Sequence, residues 1–309
     1  MNLKRNEQLF QTYFKKWIET YKQNYVTPVT YRKWENTERM LKLLAPQLKV
    51  TQLTRRSYQQ ILSQYAETHE HQTCMDFHHQ LKCVIQDILD EGLIKRDPTL
   101  RAVIGGTRNR KHKIKFLQPE ELEKLLQDLN LGKELDYDYM ILLLAKTGLR
   151  FAEALGLTPA DFDLDSLTLR INKTWDYKSA TGKFAPTKNK SSVRTIALDY
   201  KTAAKFAMLI QSLPKDKPIF VPDGKRIYNE TINDILKRHC ENAGIPVISA
   251  HGLRHTHASL LIGKGINLQA VAKRLGHSSS LTTQKVYIHL LKDTETSADA
   301  KIGQLMAAL

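Results

Sequence analysis

The pattern of hydrophobic and polar positions divides the chain into a helical first part and a mixed remainder. Between residues 5 and 95, apolar side chains recur every three to four positions with Lys and Gln between them, as in amphipathic helices. We expect four helices here, the second capped by Thr30 and the third and fourth covering about 57–65 and 73–91. Residues 1–104 are therefore predicted to form a small all-helical domain.

A basic segment follows this helical part. Asp97 and Pro98 end the helical pattern, and two glycines come soon after them. Residues 105–116 are predicted to be a linker, with cations close together at Arg108, Arg110 and Lys111. A solvated charge run is the ordinary explanation. A linker that lies along a phosphate backbone is the other, and the chemistry further along the chain favours it.

The remainder of the chain changes period twice. Pro119 suits the first turn of a helix, and the apolar stretch YMILLLAKTGLRFAEALGL predicts one more helix. Alternation and β-branched residues then predict strands over LTLRINKTW and VRTIAL. Helices return after Lys201. We expect a second domain at 117–291 that is mainly helical with a small antiparallel β-sheet, followed by an apolar tail at 292–309.

Composition narrows the function classes. The 47 Lys and Arg exceed the 32 Asp and Glu, which gives a formal charge of +15. Such an excess favours a polyanionic partner, because neutralised phosphates release condensed counterions, although a basic surface can also serve solubility alone. No apolar run reaches the roughly 20 residues of a membrane span, and the three cysteines form no CxxC pair. We expect a cytoplasmic protein, nucleoid-associated if the host is bacterial.

Two places in the second domain carry cations in suggestive positions. Arg150 follows Gly148 closely and has Glu153 three residues on, a spacing that by itself indicates a helix-surface ion pair. Lys188 and Lys190 lie where a hairpin is expected, and lysines there usually protect the edge of a sheet.

Two further places carry histidine and tyrosine. In HGLRHTH, His251 and Arg254 lie three apart on one helical face, as in an anion site. His251 and His255 have the spacing of a zinc helix, but a glycine stands where the activating Glu would be, so we expect no metal. His277 follows a Leu-Gly pair, and Tyr287 comes ten residues later. Each of these residues alone would be given a structural role.

Taken together, the four places suit phosphodiester transfer. Negative charge grows on the nonbridging oxygens in the transition state, and fixed donors must face those oxygens. Arginine suits this task because its planar fork meets two oxygens and stays charged. Tyrosine can attack phosphorus and hold it covalently, and lysine can protonate the leaving oxygen. No cofactor is needed if side chains supply the positive charge.

Four blocks of the sequence resemble, in residues and in order, the motifs of phage-integrase-type tyrosine recombinases. The blocks are TGLRFAEALGL, TKNKSSVRTI, HGLRHTHAS and LGHSSSLTTQKVYIHL. The resemblance covers nearly the whole chain and is strongest from Thr147 to Leu290. It implies a helical core-binding (SAM-like) domain and an α+β catalytic domain that form a C-shaped clamp on DNA. The implied activity is site-specific cleavage and rejoining through a 3′-phosphotyrosyl intermediate, which integrates or excises a phage or mobile element.

The resemblance also implies roles for individual residues. The implied catalytic set is Arg150, Lys188, His251, Arg254, His277 and Tyr287. The two arginines clamp the scissile phosphate, His251 assists proton transfer, His277 binds a phosphate oxygen and Tyr287 is the nucleophile. Lys188 protonates the 5′ oxygen, with Lys190 as an open alternative. Glu153 supports the first arginine or a neighbouring loop.

The implied partners are double-stranded DNA at core or attachment sites, and three further copies of the chain in a tetramer on paired sites. Exchange of the tail at 292–309 between subunits would couple the active sites, and accessory DNA-bending or directionality proteins are possible partners. Candidate phosphate contacts in the first domain are Thr30, Arg32, Lys33, Arg55 and Arg56. Many members carry an arm-binding domain before these helices; the sequence begins almost directly at the helices, and whether such a domain is naturally absent or has been removed stays open, as does arm-site binding.

The sequence leaves two alternatives to a recombinase open. One is a DNA-binding regulator of the same fold without catalysis, which would have no use for Tyr287 and its five companions. The other is a type IB topoisomerase-like enzyme, which shares the chemistry but acts on unpaired sites. The helical first domain and the tail favour the recombinase over the topoisomerase.

Overall fold

The computed structural model describes residues 8–107, 116–179, 181–222, 225–279, 281 and 284. The chain divides into two compact units, Met1–His112 and Lys113–Leu309, and each has its own hydrophobic core. The domain limits at 104, 116 and 291 expected from the sequence stay predictions.

Over residues 8–107, the first unit has four amphipathic helices, as the periodicity predicts. The first helix buries Phe10, Phe14 and Ile18 against the other three. The second begins earlier than expected, because Thr27 caps it by accepting from the backbone N–H of Thr30 and a proline occupies its first turn. Thr30 is therefore not the cap. The helices are α1 (Phe10–Tyr21), α2 (Pro28–Leu44), α3 (Arg55–Ala66) and α4 (His71–Asp90).

Residues 105–107, where the basic linker was expected to begin, are bonded to the first unit. The carbonyl of Gly105 lies 2.9 Å from Nδ1 of His71. The backbone N–H of Thr107 donates to the carbonyl of His69, and the carbonyl of Thr107 accepts from the backbone N–H of His71. Arg108, Arg110 and Lys111, the candidate phosphate contacts of the linker, lie outside the described residues.

In the residues that the structure describes, the second unit combines helices with two small antiparallel sheets. One sheet has the strand order β1-β2-β5 and pairs Leu169 with Ile196, and the other is the β3–β4 hairpin. The strands β1 and β4, two and three residues long, were not predicted. The strands are β1 (Phe162–Asp163), β2 (Thr168–Ile171), β3 (Lys173–Trp175), β4 (Phe184–Pro186) and β5 (Arg194–Ala197). The helices are α5 (Pro119–Asp128), α6 (Tyr137–Thr147), α7 (Phe151–Leu155), α8 (Tyr200–Ile210), α9 (Asn229–Asn242), α10 (Ala250–Gly263) and α11 (Leu268–Leu275).

The single helix expected over YMILLLAKTGLRFAEALGL is in fact two. Gly148 ends α6 in the left-handed conformation with φ +67°, and its backbone N–H donates to the carbonyl of Leu144. A side chain at this position would clash, because a Cβ atom would lie 2.8 Å from the ring of His257. Leu149 and Arg150 cross the gap before α7 begins.

A half-buried histidine and two carboxylates join three of these helices. His239 on α9 places Nδ1 2.7 Å from a carboxylate oxygen of Asp128 and Nε2 3.0 Å from one of Asp138. Burial alone would lower the pKa of His239, but its hydrogen bonds to Asp128 and Asp138 and the charges of both carboxylates outweigh burial and raise it. His239 therefore ties α9 to the C-terminal residue of α5 and the first turn of α6.

Candidate active site

The break at Gly148 places Arg150 at the start of α7. Arg150 is the N-cap of that helix, and its backbone N–H donates to Oε2 of Glu153 over 3.0 Å. Its Nη1 donates to Oε1 of the same carboxylate over 2.7 Å. Glu153 is only 1% exposed, so the pair is not the surface ion pair that spacing alone indicated. The carboxylate fixes both the backbone and the guanidinium of Arg150.

A second arginine shares this carboxylate. Arg194, the first residue of β5, is 9% exposed and donates from Nη2 to Oε2 of Glu153 over 3.0 Å and from Nη1 to Oε1 over 3.3 Å. Burial alone would raise the pKa of Glu153, but the hydrogen bonds and charges of Arg194 and then Arg150 lower it below its ordinary value. Glu153 is therefore ionised and shared between two guanidinium groups.

The helix α10 contributes Arg254 and His251. Ser249 caps this helix by accepting from the backbone N–H of Gly252. Arg254 follows one turn after His251 and is 3% exposed. Its Nη1 donates to the carbonyl of Gly148 over 2.7 Å and its Nη2 donates to the carbonyl of Leu275 over 2.7 Å. The carbonyl of Gly148, at the break after α6, thus anchors Arg254. Arg150 follows Gly148 by two residues in the chain.

The last turn of α11 brings three arginines together. Three consecutive carbonyls there each accept from a different guanidinium. The acceptor–donor pairs are Arg274 O with Arg194 Nε at 2.6 Å, Leu275 O with Arg254 Nη2 at 2.7 Å, and Gly276 O with Arg150 Nη2 at 3.2 Å. The C-terminus of a helix carries partial negative charge and unpaired carbonyls, so it can gather cations that would otherwise repel one another.

Gly276 makes this arrangement possible. It ends α11 in the left-handed conformation, φ +68°, which favours glycine. A Cβ atom at this position would lie 2.8 Å from Nη1 of Arg194 and 3.0 Å from Cα of Ser192. Ser192 itself is fully buried, and its hydroxyl lies 3.3 Å from Nη1 of Arg150 and 3.4 Å from the carbonyl of Gly276.

The two predicted site histidines lie in the same positive field. Burial, and then the charges of Arg254 and Arg150, lower the pKa of His277 to about 4. The same causes, in the same order, lower the pKa of His251. His251 lies one turn before Arg254 on α10, and His277 directly follows Gly276, whose carbonyl accepts from Arg150. A neutral imidazole can donate one hydrogen bond and accept another.

The two candidate lysines lie on the connection from β4 to β5. The β3–β4 hairpin ends at Pro186, so neither lysine is inside it. Lys188 is exposed in a bend, and Lys190, also exposed, begins a short 3-10 helix that ends at Ser192. Lys190 is therefore the closer of the two along the chain to a residue that contacts Arg150.

Within the ranges that the structure describes, no group of three or more His, Cys, Asp or Glu is placed to hold a metal ion. Within the same ranges, no helix is long and apolar enough to span a membrane.

Comparison with known proteins decides the family. The model of the family described as "Phage integrase family" matches residues 115–294, more than half of the chain and all of the site above. The chain belongs to the phage integrase family. It is 31% identical over 177 residues to the integrase of Staphylococcus phage L54a, an alignment that covers 52% of this chain and 50% of that protein.

Two other integrases are similar to this chain in sequence or in fold. The ICEBs1 integrase of Bacillus subtilis is 30% identical over 216 residues, which cover 63% of this chain and 55% of the relative. This chain therefore spans about half the length of these curated relatives. The Tn1549 transposon integrase, solved in complex with transposon right end DNA, shares the fold with a TM-score of 0.79 at 19% identity, over 97% of this chain and 100% of that one.

Several expected residues of this integrase-family chain are placed by the structure and others are not. Among the candidate DNA contacts, Thr30, Arg32, Lys33, Arg55 and Arg56 are exposed on α2 and α3 of the first unit. Tyr287, the expected nucleophile, and the tail at 292–309 lie outside the described residues.

Sequence reasoning missed four residues that hold the site together: Ser192, Arg194, His257 and Arg274. A signal existed for Arg194, which occupies an inward position of the alternating strand VRTIAL, on the same face as Ile196. Arg274 offered none, because a cation in the last turn of an amphipathic helix is usually solvated.

Proposed function

We propose that this chain is a site-specific DNA recombinase that cleaves and rejoins strands, and that it integrates or excises a phage or mobile element. The observation that carries the proposal is the gathering of Arg150, Arg194 and Arg254 on consecutive carbonyls of α11, directly before His277. Such fixed positive donors beside neutral imidazoles suit a phosphodiester whose charge grows during reaction.

The proposed nucleophile is Tyr287. Its oxygen attacks phosphorus and forms a 3′-phosphotyrosyl bond, while the bond from phosphorus to the 5′ oxygen breaks. His251 takes part in transfer of the phenolic proton, and Lys188 or Lys190 gives a proton to the 5′ oxygen. Rejoining reverses these steps with a 5′-hydroxyl from another strand. Because one phosphodiester-type bond replaces another, no external energy source is required.

The arginines contribute mainly through their fixed positions. Arg254 is anchored on two carbonyls, and Arg150 on a carboxylate and a carbonyl, before any DNA binds. Donors held in place do not have to reorganise as the transition state forms, which is the main benefit of such a site. Glu153 and Arg194 act indirectly. Glu153 orients Arg150, and Arg194 donates to the carboxylate of Glu153.

The proposed substrate is double-stranded DNA at a core site. Support comes from the net charge of +15 and from the exposed basic residues of α2 and α3. Related solved chains with the same fold are integrases in complex with DNA. Contacts from Arg32, Lys33, Arg55 and Arg56 to phosphates would fix register without specifying sequence.

The proposed assembly is a tetramer on paired sites, coupled by exchange of the tail at 292–309. Its apolar residues, among them Ile302, Leu305 and Leu309, suit a surface on a second copy. Deleting the chain after Asp293 should abolish synapsis of two DNA sites while each site is still bound, as measured by native gel shift. Synapsis at the parent level in the deleted protein would contradict tail exchange.

The test of the function is covalent capture. The chain is incubated in EDTA with a library of nicked duplexes whose core is randomised, and DNA that remains on the protein in detergent is sequenced. We expect a 3′-linked adduct on a preferred sequence, lost in Tyr287→Phe and kept in Tyr200→Phe, a control at an exposed tyrosine. An adduct in Tyr287→Phe, or a strict need for magnesium, would contradict the mechanism. Relaxation of supercoiled plasmid without site preference would favour a topoisomerase.

A further inference from the structure

His257 and Arg274 form a hydrogen-bonded pair beside the arginines of the proposed phosphate site. His257 lies on α10 one turn after Arg254 and is buried. Its Nδ1 lies 3.0 Å from the carbonyl of Ala145, and Nε of Arg274 donates to its Nε2 over 2.9 Å. A carbonyl only accepts and an arginine only donates, so the proton of this ring is on Nδ1. His257 is therefore neutral, with Nε2 as a hydrogen-bond acceptor.

Arg274 connects four elements of the second unit. Besides His257 on α10, its guanidinium donates to the carbonyl of Ala197 in β5 from both Nη atoms over 3.2 Å, and to the carbonyl of Lys146 in α6 over 3.4 Å. Its own carbonyl accepts from Arg194. The position of this one residue on α11 is thus fixed against α6, α10 and β5.

The carbonyls that follow Arg274 anchor the two arginines of the proposed cleavage site. Leu275 accepts from Arg254 and Gly276 accepts from Arg150, and His277 is the next residue. A shift of Arg274 along or around α11 moves both carbonyls and the histidine with it, because they are consecutive in one chain. Errors of about 1 Å in such placement can cost about 100-fold in rate.

We propose that His257 and Arg274 are positioning residues for DNA cleavage, which together fix the last turn of α11 and thereby aim Arg150, Arg254 and His277 at the scissile phosphate. This proposal rests on the proposed function. The alternative is that the pair only stabilises the fold, as many buried hydrogen-bonded histidines do.

The packing around His257 supports a positional role. A Cβ atom on Gly148 would lie 2.8 Å from Cδ2 of the His257 ring and 2.9 Å from Cδ2 of Leu275. The His257 ring and the last turn of α11 thus pack directly against the backbone of Gly148, at the helix break that precedes Arg150. This contact connects the part of the proposed site that contains Arg150 with the part that contains Arg254 and His277.

Two substitutions of His257 separate its two hydrogen bonds. In His257→Gln the amide oxygen can replace Nε2 and accept from Arg274, whereas in His257→Asn the amide nitrogen can replace Nδ1 and donate to Ala145. Both leave one bond unmade, so a purely structural role predicts similar losses. A positional role predicts that His257→Asn is the slower of the two, because it releases Arg274.

The experiment measures single-turnover formation of the covalent adduct on a captured core site, together with equilibrium DNA binding and thermal unfolding. We expect Arg274→Lys and His257→Asn to slow adduct formation about 10- to 100-fold, with DNA affinity changed less than about threefold. His257→Gln should recover most of the rate. Lys273→Gln, which removes an exposed charge from the neighbouring position, is the matched control and should react at the parent rate.

A second substrate distinguishes misplaced arginines from an unstable protein. A methylphosphonate at the scissile position lacks one charged oxygen and so depends less on arginine placement. The defect of Arg274→Lys should shrink on that substrate if the pair positions the arginines, and an undiminished defect would overturn the proposal. Equal rates of His257→Gln and His257→Asn would overturn it as well. A parent protein that forms no adduct would instead overturn the proposed function, and the positioning role with it.

Discussion

The buried carboxylate of Glu153 offers the sharpest test of how the site is held together. It accepts four hydrogen bonds, from the backbone and Nη1 of Arg150 and from Nη1 and Nη2 of Arg194. Glu153→Gln keeps the shape but removes the charge and turns one acceptor into a donor that faces a guanidinium. Arg194, 9% exposed, is then left buried without its carboxylate.

The expected loss follows from that burial. Breaking a buried ion pair by removing one partner costs about 3–5 kcal/mol, because the remaining charge is desolvated without compensation. Replacing both partners by apolar residues of similar size is often neutral or better. We therefore expect Glu153→Gln to lower the free energy of unfolding of the second unit by about 3 kcal/mol or more. The double variant Glu153→Leu/Arg194→Met should recover most of that loss and still fail to cleave DNA.

The assay is unfolding in urea, monitored by hydrogen exchange of peptides from α10 and β5. Because these peptides belong to the second unit, its unfolding is measured separately from that of the first. The matched control is Glu241→Gln, which breaks an exposed pair with Lys237 and should change stability by less than about 1 kcal/mol. A loss in Glu153→Gln as small as that of the control would refute the buried, shared carboxylate. A double variant that cleaves DNA at the parent rate would refute its role in orienting Arg150.

Three further predictions concern separate features. Gly276→Ala should lose about 1–2 kcal/mol through left-handed strain and also lose DNA cleavage, whereas Gly244→Ala, with φ +64° and no neighbour within 4 Å, should show the strain alone; cleavage by Gly276→Ala at the parent rate would contradict the crowding argument. The pKa of His239 is raised in the folded state, so its stabilising contribution is present below about pH 6.5 and is lost as pH rises through the folded pKa. Denaturant midpoints measured across that range should fall with pH in the parent and less steeply in His239→Gln, and parallel curves would argue against the ion pairs. Lys188→Ala should slow cleavage of ordinary DNA but spare a substrate with a good 5′ leaving group, and the same rescue in Lys190→Ala would identify Lys190 as the acid instead.

Periodicity predicts an element well where one face is apolar over several turns. The four helices of the first unit satisfy this condition, and so does the small antiparallel sheet formed by VRTIAL and LTLRI. The helix break at Gly148 was missed because apolar residues continue on both sides of it. The close approach of Gly148 to the ring of His257, more than 100 residues away in sequence, depends on the fold and has no local signal.

In the candidate site, too, some residues could be predicted from the sequence and others could not. Motifs indicated the residues proposed to contact phosphate, since their chemistry is recognisable in short blocks such as HGLRHTH. The supporting groups were not predicted, because their roles depend on carbonyl partners from distant elements. Arg274 is an ordinary basic residue in the sequence, yet in the fold it bonds to α6, α10 and β5.

In the proposed reaction, the gathered arginines and histidines hold a phosphate for attack by Tyr287. The most direct measurement is mass spectrometry of the peptide that carries DNA after covalent capture and digestion. We predict a 3′-phosphate attached to the tyrosine of the peptide that contains KVYIHL. DNA joined through any other residue, or through a 5′-phosphate, would contradict attack by Tyr287.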